Sequence, residues 1–230
     1  MRRRFFIALL LALGICGWFA PADAQERIGR AAVVRNDVSQ IAPRVIKIST
    51  GDEIFRDETV RTAADSDAKF VLRDDTNLSL GPGSTLKLDR AVFSGETSAG
   101  DIAVRLTSGA FRFVTGNSTK ESYKIVTPLA TIGVRGTTLD FLIQRFRNIA
   151  VLQDGRARVT AGGQFVDLLY PGDSVIITAT GGKIQITKVS SPPWTFAGAC
   201  AANSALCSQT RYAELTREID VDFASALCGK

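Results

Sequence analysis

Arg135 stands between Gly133 and Gly136 on an otherwise apolar, strand-forming run from Tyr123 to Thr137. A guanidinium carried into such a segment needs a carboxylate, several carbonyls or a bound anion to compensate it. Two readings follow. Arg135 ties two strands together through an Asp or Glu, or it sits in a groove and holds an anionic group. In the second reading Thr131, Gly133, Arg135, Gly136 and Thr137 form the ligand- or partner-binding set. The chain contains no histidine. The commonest general base, the usual partner of a nucleophilic Ser or Cys, and the commonest metal ligand are therefore all missing. Paired carboxylates could still carry acid–base chemistry, but no Asp/Glu spacing singles out such a pair. Asp65-Ser66-Asp67 and Asp74-Asp75 lack calcium-loop spacing and read as solvated turns. The expectation is a protein that holds a partner, with neither catalytic residues nor a cofactor or metal.

Cysteine placement is the next chemical signal. Cys200, Cys207 and Cys228 cluster near the C-terminus. In an oxidising compartment one disulfide is expected among them, with one thiol left over and the pairing open. Three thiols without a histidine fall short of a zinc set.

The N-terminus supplies the compartment. Arg2, Arg3 and Arg4 precede an apolar run from Phe5 to about Phe19, and Pro21-Ala22-Asp23-Ala24 has small-x-small cleavage character. Residues 1–24 therefore read as a signal peptide, with Gln25 the first mature residue. The run is shorter than the roughly 20 apolar residues a bilayer span needs, and no later stretch is apolar enough to span, so a soluble periplasmic or secreted product is expected. The whole chain carries a formal charge of +5. Removing residues 1–24 takes away three arginines and Asp23, leaving +3. That scattered, mild excess gives no nucleic-acid footprint.

The elements that must position Arg135 are strands. From Gln25 to about Val189 apolar and polar residues alternate, as in Leu78-Ser79-Leu80, Phe111-Arg112-Phe113, Leu139-Asp140-Phe141 and Ile184-Gln185-Ile186. Period two puts one face of a sheet on a core, and Phe111 and Phe113 read as core rings. Gly- and Asp-rich turns recur between the runs, the pattern of an all-β sandwich or barrel. Hairpins are expected around Asp74–Asn77, around Gln153-Asp154-Gly155 and around Pro171-Gly172-Asp173. Ser191-Pro192-Pro193 ends the pattern. The expected organisation is a β domain over residues 25–190 and a Pro-initiated, Cys-containing tail over 191–230. Tyr212, Leu215, Ile219 and Phe223 recur at helical steps, which predicts a helix from about Thr210 to Leu227.

The run Thr127-Pro128-Leu129-Ala130-Thr131-Ile132-Gly133-Val134-Arg135-Gly136-Thr137 resembles the hallmark of the FecR domain, T-P-x-A-T-I-G-V-R-G-T. Ala68 to Pro82 resembles that family's D-G-T hairpin, with Asp75 where the family has Gly. Leu106 to Phe113, Val151 to Gly155 and Leu168 to Val175 resemble later family segments, so the likeness runs over about residues 45–180. The resemblance implies a jelly-roll-like β-sandwich and a periplasmic signalling role. In the regulators that name the family, a membrane helix joins the domain to a cytoplasmic anti-sigma segment. This chain departs from that plan, with a cleavable signal in place of the cytoplasmic segment. The expectation is an exported FecR-like binding module in envelope signalling or regulation, with an envelope protein as partner. The alternative is a glycan- or peptidoglycan-binding envelope protein.

Overall fold

A computed structural model describes residues 26–42, 44–93, 99–117 and 123–215. The predicted signal peptide and Cys228 lie outside these residues. The alternating segments form β1 (Arg27–Arg35), β2 (Val38–Ala42), β3 (Arg44–Lys47), β4 (Glu53–Phe55) and β5 (Thr59–Thr62). They continue as β6 (Asp67–Leu72), β7 (Asn77–Leu80), β8 (Thr85–Phe93), β9 (Ala99–Val114) and β10 (Tyr123–Val126). The last five are β11 (Thr131–Ile143), β12 (Arg147–Ala161), β13 (Gln164–Leu168), β14 (Ser174–Thr180) and β15 (Lys183–Val189). A short helix, α1 (Ala197–Ala202), and a 3-10 turn (Ser204–Leu206) follow.

The strands build a jelly-roll-like sandwich in which three long strands serve both layers. The early part of β9 pairs with β8 and, in parallel, with β10, while its later part pairs with β7 and β11. The early part of β11 pairs with β10 and its later part with β9. The end of β12 pairs with β13 and its beginning with β14. The first layer thus runs β3-β2-β5-β8-β9-β10-β11-β12-β13, and the second β4-β1-β6-β7-β9-β11-β12-β14-β15. Leu86, Val104, Ile132 and Val159 from the first layer meet Phe70, Phe113, Leu139 and Phe141 from the second in one apolar core. Burying these side chains is the main driving force for closing the layers together.

β11 and β12 change layer side by side, and glycine makes this possible. Gly136 has φ +59° and Gly155 φ +84°, a region nearly closed to residues with a Cβ. A Cβ built on Gly155 would overlap the Gly136 carbonyl oxygen. The register shifts here twice, between Arg135 and Thr138 and between Thr138 and Leu139. Thr137 stitches the distortion. Its hydroxyl accepts from the Arg135 N–H (3.0 Å) and donates to the Arg156 carbonyl (2.8 Å), and its own N–H donates to Thr115 Oγ1 (2.8 Å).

Several expectations change. Gln153-Asp154-Gly155 is no hairpin: β12 runs straight through it, because the turn-type residues supply the bend between layers instead. β13 and β14 are not a hairpin either. Both pair with β12, and Pro171-Gly172-Asp173 docks back on Leu152 through two backbone hydrogen bonds. The Asp74 turn is not solvated: Asp74, Thr76 and Asn77 are buried, as are Ser66 and Asp67. Asp74 accepts from Tyr123 Oη (2.6 Å) and Thr76 Oγ1 (2.9 Å), which satisfies a carboxylate that water cannot reach. Asp75, in the place of the family glycine, keeps a left-handed φ of +68°. The first helical segment of the tail is Ala197–Ala202 and not the expected one. Of the helix predicted over 210–227, residues 212–215 are helical and the remainder past 215 lies outside the described residues.

Replacing Gly155 with Ala forces both a left-handed residue and a backbone overlap. Each such backbone strain costs about 1–3 kcal/mol. Denaturant unfolding of Gly155→Ala is expected to show a loss of at least that size, and an unchanged midpoint would contradict the account of the layer change.

Candidate functional site

The two outer faces of the sandwich differ. On the second layer a polar row crosses the sheet: Lys69 on β6, Ser79 on β7, Arg112 on β9 and Asp140 on β11, which pair in register. Each stands between core residues in its strand, and Lys69 and Asp140 are both 0% exposed. They are covered by the tail. Lys69 Nζ donates to the Ala205 carbonyl (3.2 Å), the Ser208 carbonyl and Thr210 Oγ1 (2.6 Å). Ser79 Oγ donates to the Leu206 carbonyl. Asn77 and Thr210 exchange two hydrogen bonds (2.9 and 3.2 Å). Asp140 takes both arms of Arg112 (2.7 and 2.9 Å), Gln153 Nε2 (3.0 Å) and the Phe196 N–H (2.9 Å). Phe196 and Leu206 are buried as apolar pegs. Cys200 and Cys207 are joined by a disulfide, Cα–Cα 5.6 Å, that closes the tail loop over this row. The tail is thus a strap across one face.

The opposite outer face, on the first layer, is open. There a groove of about 510 Å³ has Tyr123, Gly133, Arg135, Arg156, Arg158 and Leu169 among its lining residues. Arg135 and Arg156 face each other across β11 and β12, and Gly133 faces Arg158. Arg158 makes a two-armed pair with Asp167 on β13 (2.7 and 2.9 Å) and lies 4.6 Å from the centroid of the Phe165 ring. The Arg158 guanidinium holds the Asp167 carboxyl below the usual carboxylate range. Such an exposed pair adds little stability but fixes the guanidinium's orientation.

The sequence-derived residues separate by role. Gly133 and Arg135 line the groove. Arg135 is exposed, because β-alternation beside Val134 turns it outward. Gly136 makes the layer change. Thr137 is buried and holds the bulge. Thr131 is half-buried in the ladder, opposite Thr160. Arg156, Arg158 and Leu169 were not singled out from sequence. Arg156 and Arg158 alternate with the buried Ala157 and Val159, a signal that places them outward but not beside Arg135. No group of three or more metal-ligating side chains occurs among the described residues, and no described helix is long and apolar enough to cross a membrane.

These observations define an all-β sandwich domain with one face strapped and one face grooved. Residues 58–161 match the family described as FecR protein. That stretch includes the layer change and most of the groove; β13, Leu169 and the strap fall beyond it. No curated protein matches in sequence. Among solved structures, a candidate anti-sigma factor from Parabacteroides distasonis superposes with a TM-score of 0.51 at 17% identity. The superposition covers 63% of this chain and 64% of that one, so this chain spans less than two thirds of its length. A second crystal structure of the same description gives 0.49 at 15% identity. The likeness is one of fold.

The strap predicts a pH signature. Burial pushes the Lys69 ammonium down to about 8, opposed by the Glu214 carboxylate. The unfolded chain releases that proton only near 10.4. Between about pH 8 and 10.4 the unfolded state therefore holds more protons, so stability from this group rises with pH, by on the order of 3 kcal/mol. Unfolding measured from pH 7 to 10.5 should show that rise in the wild type and lose it in Lys69→Met. Identical pH slopes would contradict it. The Cys200–Cys207 bridge closes a short loop, worth about 2–3 kcal/mol in the chain-entropy account. The double variant Cys200→Ser/Cys207→Ser is expected to unfold at correspondingly lower denaturant, and an unshifted midpoint would show the bridge to be irrelevant to the strap.

Proposed function

We propose that the protein is an exported, non-enzymatic FecR-type module in envelope signalling or regulation, and that it binds a protein partner through the groove beside Arg135. The observation that carries this reading is the position of the FecR hallmark segment. Gly133 and Arg135 open into a groove lined by three arginines, while Gly136 and Thr137 build the bend that holds it. The FecR match and the sandwich fold support the signalling setting. The mature chain begins after residue 24, and it acts in the periplasm or beyond the cell.

The protein, purified with its disulfide intact, is the bait for envelope extract, and recovered proteins are identified and tested again in pure form. A partner should bind wild type and lose at least tenfold in affinity with Arg135→Ala or Leu169→Glu, both at exposed positions that leave the core untouched. Equal binding by wild type and both variants would remove the groove from the function. A second reading, an envelope glycan binder, draws on the exposed rings of Phe165 and Tyr170 near the groove. Co-sedimentation with purified cell wall that is lost in Tyr170→Ala would favour it, and failure to co-sediment would dispose of it.

A further inference from the structure

Gly133 has a different standing from the glycines of the bend. It lies inside β11, where glycine weakens a strand and normally marks a bulge or a close approach. Neither holds here. Its φ is outside the left-handed region, and a Cβ built on it would meet nothing within 4 Å. The backbone does not require glycine at this position. What glycine provides is empty volume in the floor of the groove, directly opposite Arg158 on one neighbour and Lys124 on the other.

Among the described residues, the charged groups lining that volume are arginines apart from Asp167. Arg135 and Arg156 are cross-strand partners, and both are exposed. Arg158 is held in place by Asp167 and Phe165. Asp167 is the one acidic residue among the described lining. Its two carboxylate oxygens go to Arg158, and its backbone carbonyl accepts from Lys188 Nζ (3.1 Å). Of the remaining lining, Tyr123, Val134 and Ala157 are buried, and Leu169 is the exposed apolar side chain. A few convergent charged groups on an apolar concavity of this size are the usual form of a ligand site. Guanidinium forks match planar carboxylates in geometry, and the apolar lining favours hydrocarbon next to the anion.

We propose that the groove takes a short acidic segment of a protein partner, with a carboxylate seated over Gly133 among Arg135, Arg156 and Arg158 and an apolar neighbour against Leu169. This rests on the groove being the binding surface and adds the chemistry of what it holds. Glycine at 133 is the vacancy for that side chain. The strap closes the opposite face, so the acidic segment meets the sandwich on the first layer.

The test uses the oxidised full-length exported protein and a dye-labelled Glu-Val-Glu-Val-Glu-Val peptide, read by fluorescence anisotropy. The expected result is saturable binding that weakens steeply with salt. The Gln-Val counterpart should bind at least tenfold more weakly. Gly133→Leu should weaken the acidic peptide at least tenfold while leaving the melting temperature within a few degrees, since the new side chain points into open space. Should Gly133→Leu fail to fold, Arg156→Gln, at an exposed position, is expected to give a similar loss. Equal binding of the Glu and Gln peptides, or unaltered affinity in the folded groove variants, would overturn the proposal. So would inorganic phosphate displacing the peptide at equal concentration, which would mark a small-anion site. The two readings fail separately. If Arg135→Ala abolishes partner capture while the Glu and Gln peptides bind alike, the groove stands and the acidic chemistry falls.

Discussion

The contact between Gly136 and Gly155 is the constraint on which this sandwich depends. Two neighbouring strands can leave one layer and enter the other together only if their backbones approach closer than side chains permit. The Gly136 carbonyl fills the space where any other residue at 155 would carry a Cβ. Once the bend is made, the two halves of β11 and β12 belong to different layers, and the layers can share one core. The ladder hydrogen bonds disrupted by the bend are replaced by Thr137, whose hydroxyl serves the Arg135 N–H and the Arg156 carbonyl. Those two residues carry the facing guanidiniums of the groove. The bend that closes the fold therefore also sets the floor and rim of the candidate site.

The two outer faces treat polar groups in opposite ways. On the second layer, Lys69, Ser79, Arg112 and Asp140 would be an ordinary solvated stripe but for the strap. The tail supplies carbonyls, hydroxyls and one N–H at the right positions, so each buried polar group is satisfied. Burying an ion pair such as Arg112–Asp140 gains little over an apolar contact, while removing one partner is expensive. The row thus gives specificity of docking more than strength, and the bulk of the apolar anchoring falls to Phe196 and Leu206. On the first layer Arg135, Arg156 and Arg158 are exposed to solvent. A surface of this kind favours recognition by charge and shape at modest energetic cost.

Comparison with the solved candidate anti-sigma factor extends to the sandwich and stops there, at 17% identity. The FecR match covers residues 58–161 and so includes the strands of the strapped face. The strap itself, residues 190–215, lies outside it. This chain therefore places a cover, drawn from beyond the matched region, over a face that the matched strands create. The groove also borrows from outside the match, since Asp167 and Leu169 close one side of it.

Much of this was legible in the residues. Alternation in Leu78-Ser79-Leu80, Phe111-Arg112-Phe113 and Leu139-Asp140-Phe141 fixes which side chains enter the core, because a strand turns successive residues to opposite faces. The same alternation turns Arg135 outward beside Val134. Local sequence cannot say what lies on the far side of a sheet. Ser79, Arg112 and Asp140 look like solvent-facing residues until the tail, more than fifty residues further on, is laid across them. Nor can it distinguish a glycine that ends a strand from one that lets a strand bend. Asp154-Gly155 has the composition of a hairpin turn and acts as a bend, because the partner strand carries Gly136 at the same level. Chain periodicity determined the strands, their inward faces and the all-β class. Which strands share both layers, which face is covered, and which arginines converge on Gly133 were decided only when distant segments packed together, since those contacts have no local signature.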